Sequence, residues 1–412
     1  MSILESLLSS LSDPKHIRAM QRKNRLLRAV YDKDAISVND LMKVLGISFP
    51  TLNALIVELI DQKLLIQNER GESIGGRKPN LYQLSDGIFK VLCVEVNRFS
   101  VKISFVDNNS KILAPSRVYS SDLSTDLESL SQFERTIKNY VVEYNLNWAD
   151  ISGLAISMPG LIDKSKGKNY SFFFDAESDF DLKSYLETSF SKKVYIVNDV
   201  KLTTYAEQNF GALKQVENGL TILMDWGMAL GIVAQGEIYM GKNGFSGEMG
   251  HMNFIEDGEL CYCGKRGCLE TVASGISLVK RASQDIKNNV PTLLAKKFNS
   301  ENILPQHIIN AALEGDQYAI ELITELGKNL GKAIALFVQI FNPERVVLGG
   351  NFAKAATLIT NPIQQQIQTY AMGRILSNCE VVLSKLSEND ITFGLARYFI
   401  LNCFDNDLLP VN

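Results

Sequence analysis

Residues 247–270 read GEMGHMNFIEDGELCYCGKRGCLE, and no other stretch restricts the fold so severely. Three of the six cysteines, Cys261, Cys263 and Cys268, fall within eight residues, and His251 stands ten residues ahead of the first. One imidazole and three thiolates complete the closed tetrahedron of a structural zinc site, with no position left for water. Gly264 and Gly267 stand where a chain wrapping tightly round an ion needs backbone conformations that other residues resist. Zinc in a structural role is therefore the expected cofactor. Thiolate ligands need a reducing compartment, so the expected location is cytoplasmic, and Cys93, Cys379 and Cys403 read as isolated buried thiols rather than disulfide partners.

At 412 residues the chain is too long for one ordinary core and divides into two or three units. With 46% hydrophobic and 21% charged residues it has a globular composition, and it contains no apolar run near the roughly 18 residues that a membrane span requires. Leu4, Leu7, Leu8 and Leu11 lie among serines without a basic start, the pattern of a short amphipathic helix rather than a signal peptide. The net charge of −4 is unevenly spread. Residues 1–84 carry twelve Lys or Arg against nine Asp or Glu, +3, which leaves −7 for residues 85–412. A small basic segment on a larger acidic body suggests a nucleic-acid reader joined to something else.

Periodicity makes that suggestion specific. A helix over 17–31 sets Arg18, Arg22, Lys23, Arg25 and Arg28 around a stripe of Met20, Leu26, Leu27 and Val30. Ser37 opens a second helix over 38–44 that breaks at Gly46, and Ser48 caps a third with Pro50 in its first turn, where a missing amide costs nothing. Leu52, Leu55, Ile56 and Leu59 form the inward stripe of this third helix and leave Phe49, Thr51, Asn53 and Val57 outside. The result is a helix-turn-helix whose third helix lies in the major groove with its N-terminal residues at the bases. Ser48, Thr51 and Asn53 are the candidate DNA contacts. Short strands over 64–67 and 81–84 flank NERGESIGGRKPN, a basic glycine-rich wing whose Arg70, Arg77 and Lys78 are placed to reach phosphate or a minor groove. The same fold also serves protein docking and dimerisation, so fold alone does not establish DNA binding.

From Phe89 the texture changes to alternating apolar strands. Strands over 89–96, 101–107 and 112–118 form a meander, followed by a helix over 130–142 and a strand over 151–158. A strand over 195–197 then delivers Asn198 and Asp199 at its end. Strands over 221–225, 228–234 and 238–239 repeat the meander, and a helix over 317–341 precedes a strand over 346–348. This order of elements implies two similar halves facing one cleft.

GEMGH followed by CYCGKRGCLE resembles the signature of the ROK family, which groups bacterial sugar-responsive repressors with sugar kinases. The resemblance implies an α/β body of the actin-like, ribonuclease-H-like kinase fold with sugar between two lobes, behind the N-terminal winged helix-turn-helix. Repressors of the family carry a GGR-type wing, matched by Gly75, Gly76 and Arg77. Residues 1–84 become the DNA-binding domain and residues 85–412 the two-lobed sugar-binding domain, with the zinc loop at 247–270. By the same resemblance His251, Cys261, Cys263 and Cys268 are the metal ligands, and Glu248, His251 and Glu270 reach into the sugar pocket. Met158, Pro159 and Gly160 match the family's proline–glycine turn, and Asn198, Asp199 and Glu207 its NDxxxxAxxE element; the resemblance implies that the sugar site is assembled from these pieces, Glu207 included, with Gly160, Asn198 and Asp199 as pocket contacts. A pyranose calls for converging carboxylates and amides, because each hydroxyl both donates and accepts. Asp199 takes the position of the kinases' catalytic base. After the proline–glycine turn this chain has NYSFFFDAES where the family often has a short loop, with Asn169 as an additional candidate contact.

The nucleotide turns depart from the family pattern. Phosphates of ATP need glycine-rich turns and a carboxylate that holds magnesium. The first turn, roughly Asp, any, Gly, small residues and Thr in the family, is here Glu95, Val96, Asn97, Arg98, Phe99, Ser100. The second, glycine-rich as Gly-Thr-Gly in kinases, is here Asp225, Trp226, Gly227, Met228, Ala229, Leu230, Gly231, and only Gly349 and Gly350 keep the adenosine-side turn. Phe99 fills space that a phosphate needs, and the fixed charge of Asp225 repels a triphosphate. The expected function is a transcriptional repressor of sugar-utilisation genes, controlled by a sugar or sugar-phosphate effector, without ATP-dependent catalysis. Asp199 then serves as a sugar ligand. The expected assembly is a homodimer or homotetramer on a double-stranded operator, with sugar closing the lobes or altering the dimer and so changing the spacing of two DNA-reading heads. A ROK sugar kinase with a fused DNA-binding head is the alternative, a docking scaffold is a third reading, and regulation by a protein partner stays open.

Overall fold

The computed structural model describes residues 14–68, 80–121, 123, 127–173 and 180–406; the leucine stripe at the N terminus and the wing residues Arg70, Arg77 and Lys78 lie outside the described residues. The described residues begin with α1 (Pro14–Asp32), β1 (Ile36–Ser37), α2 (Val38–Leu45), α3 (Phe49–Asp61), β2 (Leu65–Asn68) and β3 (Leu81–Leu84). The strands form one antiparallel sheet in the order β1-β3-β2. The Ser37 hydroxyl caps α2 by accepting from the Asp40 amide, and Gly46, at φ 65°, closes the helix with its N–H on the Met42 carbonyl. A bend of 112° then leads into α3, the angle of a helix-turn-helix. Ser48 stands at the N-cap of α3 but does not cap it, because its hydroxyl pairs with the Thr51 hydroxyl at 3.1 Å. Leu52, Ile56 and Leu59 are buried and Leu55 half-buried, whereas Ser48, Phe49, Thr51, Asn53 and Val57 face outward, as the periodicity requires.

The body is one plan built twice. Its first sheet comprises β4 (Lys90–Asn97), β5 (Ser100–Asp107), β6 (Ile112–Ser120), β7 (Gly153–Met158) and, after the small ribbon β8 (Ile162–Asp163) and β9 (Lys168–Asn169), β10 (Lys193–Asn198). Helices α4 (Leu127–Glu143) and α5 (Leu182–Phe190) connect these strands, and α6 (Asp199–Phe210) leaves the last. The order β10-β7-β4-β5-β6 combines an antiparallel meander with two strands parallel to its first. In the second half β11 (Gly219–Met224), β12 (Met228–Ala234), β13 (Glu237–Ile238), β14 (Arg345–Gly349) and β15 (Glu380–Leu383) take the equivalent order β13-β12-β11-β14-β15. Its helices include α7 (Glu270–Ala273), α8 (Gly275–Lys287), α9 (Gln317–Phe341), α10 (Thr357–Tyr370) and the C-terminal α11 (Glu388–Asn406). The chain is thus a winged helix-turn-helix followed by a two-lobed actin-like fold, and the duplication inferred from element order is present in the sheet topology. Every residue of β7 is buried, as for a parallel strand covered on both faces.

Helix α6 lies on the second sheet so closely that a Cβ at Gly231 would stand 1.7 Å from the Thr204 hydroxyl oxygen. Helix α11 packs against α6 and the first sheet, with the Phe399 ring where a Cβ of Gly153 would be. It also reaches the head. Leu26, Leu27 and Val30 of α1 share one apolar cluster with Phe89 and Val91 of the body and Phe399, Ile400 and Phe404 of α11. The Phe404 ring meets Tyr31 and Phe89 edge-on, at centroid distances of 6.2 and 5.6 Å. Head and body are therefore joined by packing rather than by a free linker. Of the three cysteines outside the 247–270 segment, Cys93 and Cys403 are buried as expected, whereas Cys379 is partly exposed at the entry to the edge strand β15. Among the described residues no single helix is long and apolar enough to cross a membrane.

Phe399 is fully buried at the junction of head, α11 and first sheet. Phe399→Ala should cost about 3–5 kcal/mol in denaturant unfolding. Because the cluster is shared, hydrogen exchange should accelerate in α1 and in β4 together, and acceleration confined to one of them would contradict a common core.

Candidate functional site

Two short bridges, Asn253 with Cys268 and Leu260 with Arg266, fold residues 253–268 into a knuckle. Within it the Cys261 amide donates to the Lys265 carbonyl and the Gly264 amide to the Cys261 carbonyl, which turns the cysteine side chains inward. Gly267, at φ 72°, admits no side chain, since a Cβ would meet the Ile255 carbonyl oxygen at 1.8 Å. His251, Cys261, Cys263 and Cys268 are brought together with all their ligand atoms within 4.8 Å of one another. His251 Nδ1 is 3.7 Å from Cys261 Sγ, and Cys263 Sγ is 3.6 Å from Cys268 Sγ. Metal–sulfur bonds of about 2.3 Å give a tetrahedron with edges of about 3.8 Å, so this donor set fits a metal ion with little adjustment. His251 Nε2 faces the Tyr262 hydroxyl at 3.1 Å, an outer partner of the kind that holds a ligating imidazole in place.

The candidate pocket residues converge beside this knuckle. Asn198 caps α6, its Oδ1 accepting from the Val200 and Lys201 amides while its Nδ2 donates to the Gly160 carbonyl at 3.1 Å. The cap links the start of α6 to the proline–glycine turn and brings Asp199 to the first turn of the helix. Burial raises the Asp199 pKa to about 6, with the Asp225 charge adding to the shift and the Val200 amide opposing it. Glu248 is open to the cleft as a residue, yet desolvation of its carboxyl end, with Asp199 and Glu270 nearby, lifts it to about 7 against the pull of Lys201. Glu270 starts α7 and is 5% exposed. Its Oε2 is buried without a hydrogen-bond partner and His251 Nδ1, at 3.9 Å, is beyond hydrogen-bond reach, while burial raises the carboxyl's pKa against the pull of the nearby Tyr262 hydroxyl. An acceptor left so is costly unless something donates to it, and a ligand hydroxyl would.

Three residues depart from the sequence reading. Glu207 lies outside the pocket, fully buried: its Oε1 accepts from the Ser384 hydroxyl at 2.5 Å and its Oε2 from the Ala212 amide at 2.7 Å, which ties the end of α6 to the second sheet. Asn169 is spent on its own loop, donating to the Pro159 carbonyl and accepting from the Ser171 and Phe172 amides, so it shapes the turn at Gly160. Lys201 was not anticipated. It is 3% exposed and donates to the Ser246 carbonyl and hydroxyl, both at 2.6 Å, beside Asp199 and Glu248. Burial lowers its pKa to about 8, with the two carboxylates opposing. The only signal in the sequence was a lysine in the first turn of a helix on its buried side.

The turns that would hold a nucleotide are engaged with one another. Glu95 is ion-paired with Lys102 at 3.3 Å and accepts from the Thr392 hydroxyl of α11 at 2.5 Å. Phe99, from the β4–β5 turn, meets Trp226, from the β11–β12 turn, edge-to-face at 4.9 Å across the lobes. Both carboxylate oxygens of Asp225 accept from the Asn351 amide beside Gly350, at 2.9 and 3.1 Å.

A family model described as ROK family matches residues 91–400. The N-acetylglucosamine repressor of Escherichia coli O6:H1 is 28% identical over 353 residues, covering 84% of each chain. Among solved structures, a ROK family transcriptional regulator described as a homologue of the E. coli MLC protein superposes with a TM-score of 0.78 at 25% identity, covering 95% of this chain and 98% of that one. A ROK family glucokinase from Streptomyces griseus, solved with glucose and AMPPNP, covers 75% of this chain and 98% of its own at a TM-score of 0.63 and 23% identity, a likeness of fold.

The state of Asp199 should be visible in stability. A carboxyl whose folded pKa rises from 3.8 to about 6 favours the fold fully below pH 4, and that contribution is lost as pH rises through about 6. Asp199→Asn should therefore melt with the wild type at pH 4 and above it at pH 7, by an amount on the order of 1–3 kcal/mol. A melting difference that does not change between these pH values would refute the assignment.

Proposed function

This chain belongs to the ROK family, and from that membership we propose that it is a DNA-binding transcriptional repressor of sugar-utilisation genes, released by a sugar or sugar phosphate bound between its lobes. The observation that carries the reading is the pairing, in one packed body, of an outward-facing helix-turn-helix with a cleft in which Glu270 Oε2 lacks a donor beside Asp199 and Glu248. Gly160 shapes that cleft and orients Asn198; Asn198, Asp199, Glu248 and Glu270 supply acceptors and donors for sugar hydroxyls. Thr51 and Asn53, with Ser48, read bases, and Arg70, Arg77 and Lys78 of the wing reach the backbone or minor groove. Domain roles follow: residues 1–84 bind DNA and residues 85–412 bind sugar, as a homodimer or homotetramer in the cytoplasm.

Zinc held by His251, Cys261, Cys263 and Cys268 supplies a structural cross-link and no reaction step. The chain's own contribution is to hold Glu248 and Glu270 on either side of that knuckle so that both face the cleft. The internal engagement of Glu95, Phe99 and Asp225 supports a body that no longer handles ATP, since magnesium and phosphate would have to displace Lys102, Trp226 and Asn351. Asp199 then binds a hydroxyl without activating it. A hundredfold loss of operator affinity needs about 2.7 kcal/mol of differential sugar binding, an ordinary coupling energy.

Fluorescence anisotropy on DNA from upstream of the protein's own gene and of neighbouring sugar genes, titrated with a panel of sugars and sugar phosphates, tests the reading. Tight binding that weakens steeply with salt and is relieved by one sugar is expected; absence of DNA binding, together with phosphorylation of a hexose by Mg-ATP, would replace the repressor with the kinase alternative. Cys263→Ser should lower bound zinc and sugar affinity together. Unchanged sugar affinity in a metal-free protein would remove the role given to the knuckle.

A further inference from the structure

The polar part of the contact between head and body centres on one side chain of α11. Arg397 Nη1 donates to the Tyr31 carbonyl at 3.1 Å, and Nη2 donates to the Asp32 carbonyl at 3.0 Å and to Asp32 Oδ1 at 3.2 Å. Asp34 Oδ1 lies 3.6 Å from Nη1, and the guanidinium carbon sits 4.8 Å over the Tyr31 ring. These carbonyls belong to the last turn of α1, where helix geometry leaves C=O groups without helical partners. A guanidinium from a distant helix thus caps α1 at the point where the chain turns into β1 and α2. Arg28 of α1 pairs with Asp405 of α11 and reinforces the join.

Helix α11 also packs along the pocket helix α6. Tyr205 of α6 lies close enough for the Arg397 charge to oppose the burial that pushes its hydroxyl up to about 12. Its ring also meets Tyr398 edge-on at 6.3 Å. Tyr205 is six residues, roughly 9 Å of helix, after Asp199. The start of α6 is itself tied to the cleft on two sides, by Asn198 to Gly160 and by Lys201 to Ser246. The anchoring of Arg397 is incomplete, because its Nε is buried without a hydrogen-bond partner. The head thus engages both terminal nitrogens of the guanidinium and leaves Nε unengaged.

We infer that Arg397, set by Tyr205, is the positioning residue through which α6 transmits the state of the pocket to the DNA-reading head within a single chain. A change at Asp199 shifts α6, Tyr205 bears on the guanidinium, and the cap on α1 changes with it. No rearrangement between protomers is needed for the first step. The inference rests on the sugar-pocket reading only for the identity of the trigger.

Hydrogen exchange of the full chain tests it without knowledge of the effector, by comparing wild type, Asp199→Asn, Tyr205→Phe and the double variant. Asp199→Asn is expected to change exchange several-fold at the amides of residues 31–40, while Tyr205→Phe retains the operator affinity of the wild type and abolishes that response. If the double variant instead shows the simple sum of the two single changes, Tyr205 has a merely structural role and the inference fails; it fails equally if Asp199→Asn leaves residues 31–40 unchanged. Arg397→Lys, which keeps the charge but not the fork, should uncouple as Tyr205→Phe does. With glucose, xylose or N-acetylglucosamine as probe, Tyr205→Phe should keep the sugar affinity and lose at least tenfold of the effect on DNA. Were no sugar to act on the wild type, the sugar reading would fall, and the exchange result would still decide the coupling.

Discussion

The burial of α11 on several sides at once is the constraint on which the molecule depends. Its sequence, ENDITFGLARYFILNCFDN, is apolar over most of its circumference, and a helix of that kind is stable only with partners all round. Phe399 and Ile400 meet the first sheet, Phe404 meets Tyr31 and Phe89, and the opposite flank lies on α6. Each of those partners belongs to a different functional part. The first sheet carries one wall of the cleft, α6 carries Asp199, and α1 carries the helix-turn-helix. Removing α11 would therefore expose apolar surface on all three, and none could then hold its position relative to the others.

The same helix engages β4 and β5 beside the turn that joins them. A carboxylate meant for magnesium must be open to the cleft and free of protein cations, and Glu95 is neither: Lys102 pairs with it while also donating to the Glu388 carbonyl and the Thr392 hydroxyl of α11. A buried ion pair of this kind adds little net stability but fixes geometry, since breaking it would strand a charge. Phe99 and Trp226 act in the same direction through apolar contact between the lobes. Glu95, Phe99 and Trp226 thus serve as internal fasteners between elements of the body.

Much of this was legible in the sequence, and what was missed has a common cause. The cluster of His251 with Cys261, Cys263 and Cys268 could be read because its members are local, and the helix-turn-helix because periodicity and turn residues act over a few positions. The duplicated sheets followed from element order. Helix α11 was missed because a helix buried on several sides has no polar face to mark its period, and β15 because a four-residue edge strand leaves little pattern. Glu207 had the spacing of a pocket residue, yet its direction is set by Ser384, 177 positions away in the chain, which no local pattern could reveal. Lys201 was overlooked for the converse reason: its buried ammonium is tolerable only because Ser246, Asp199 and Glu248 arrive from elsewhere.

These distant arrivals also explain why the pocket is poised rather than merely present. Asp199, Glu248 and Glu270 are all held in surroundings that disfavour their charged forms, with Lys201 a cation that bears on both Asp199 and Glu248. An empty cleft with such a set is destabilised relative to one filled by hydroxyls that donate to it. Under the proposed function, bound sugar would favour whichever arrangement of α6 and the 246–248 segment brings these groups closest to its hydroxyls. Only that difference between arrangements can be transmitted, since a ligand that satisfied both equally would shift nothing. Because α6 is continuous from Asp199 to Tyr205 and α11 is packed against both α6 and the head, such a difference has a rigid route to α1.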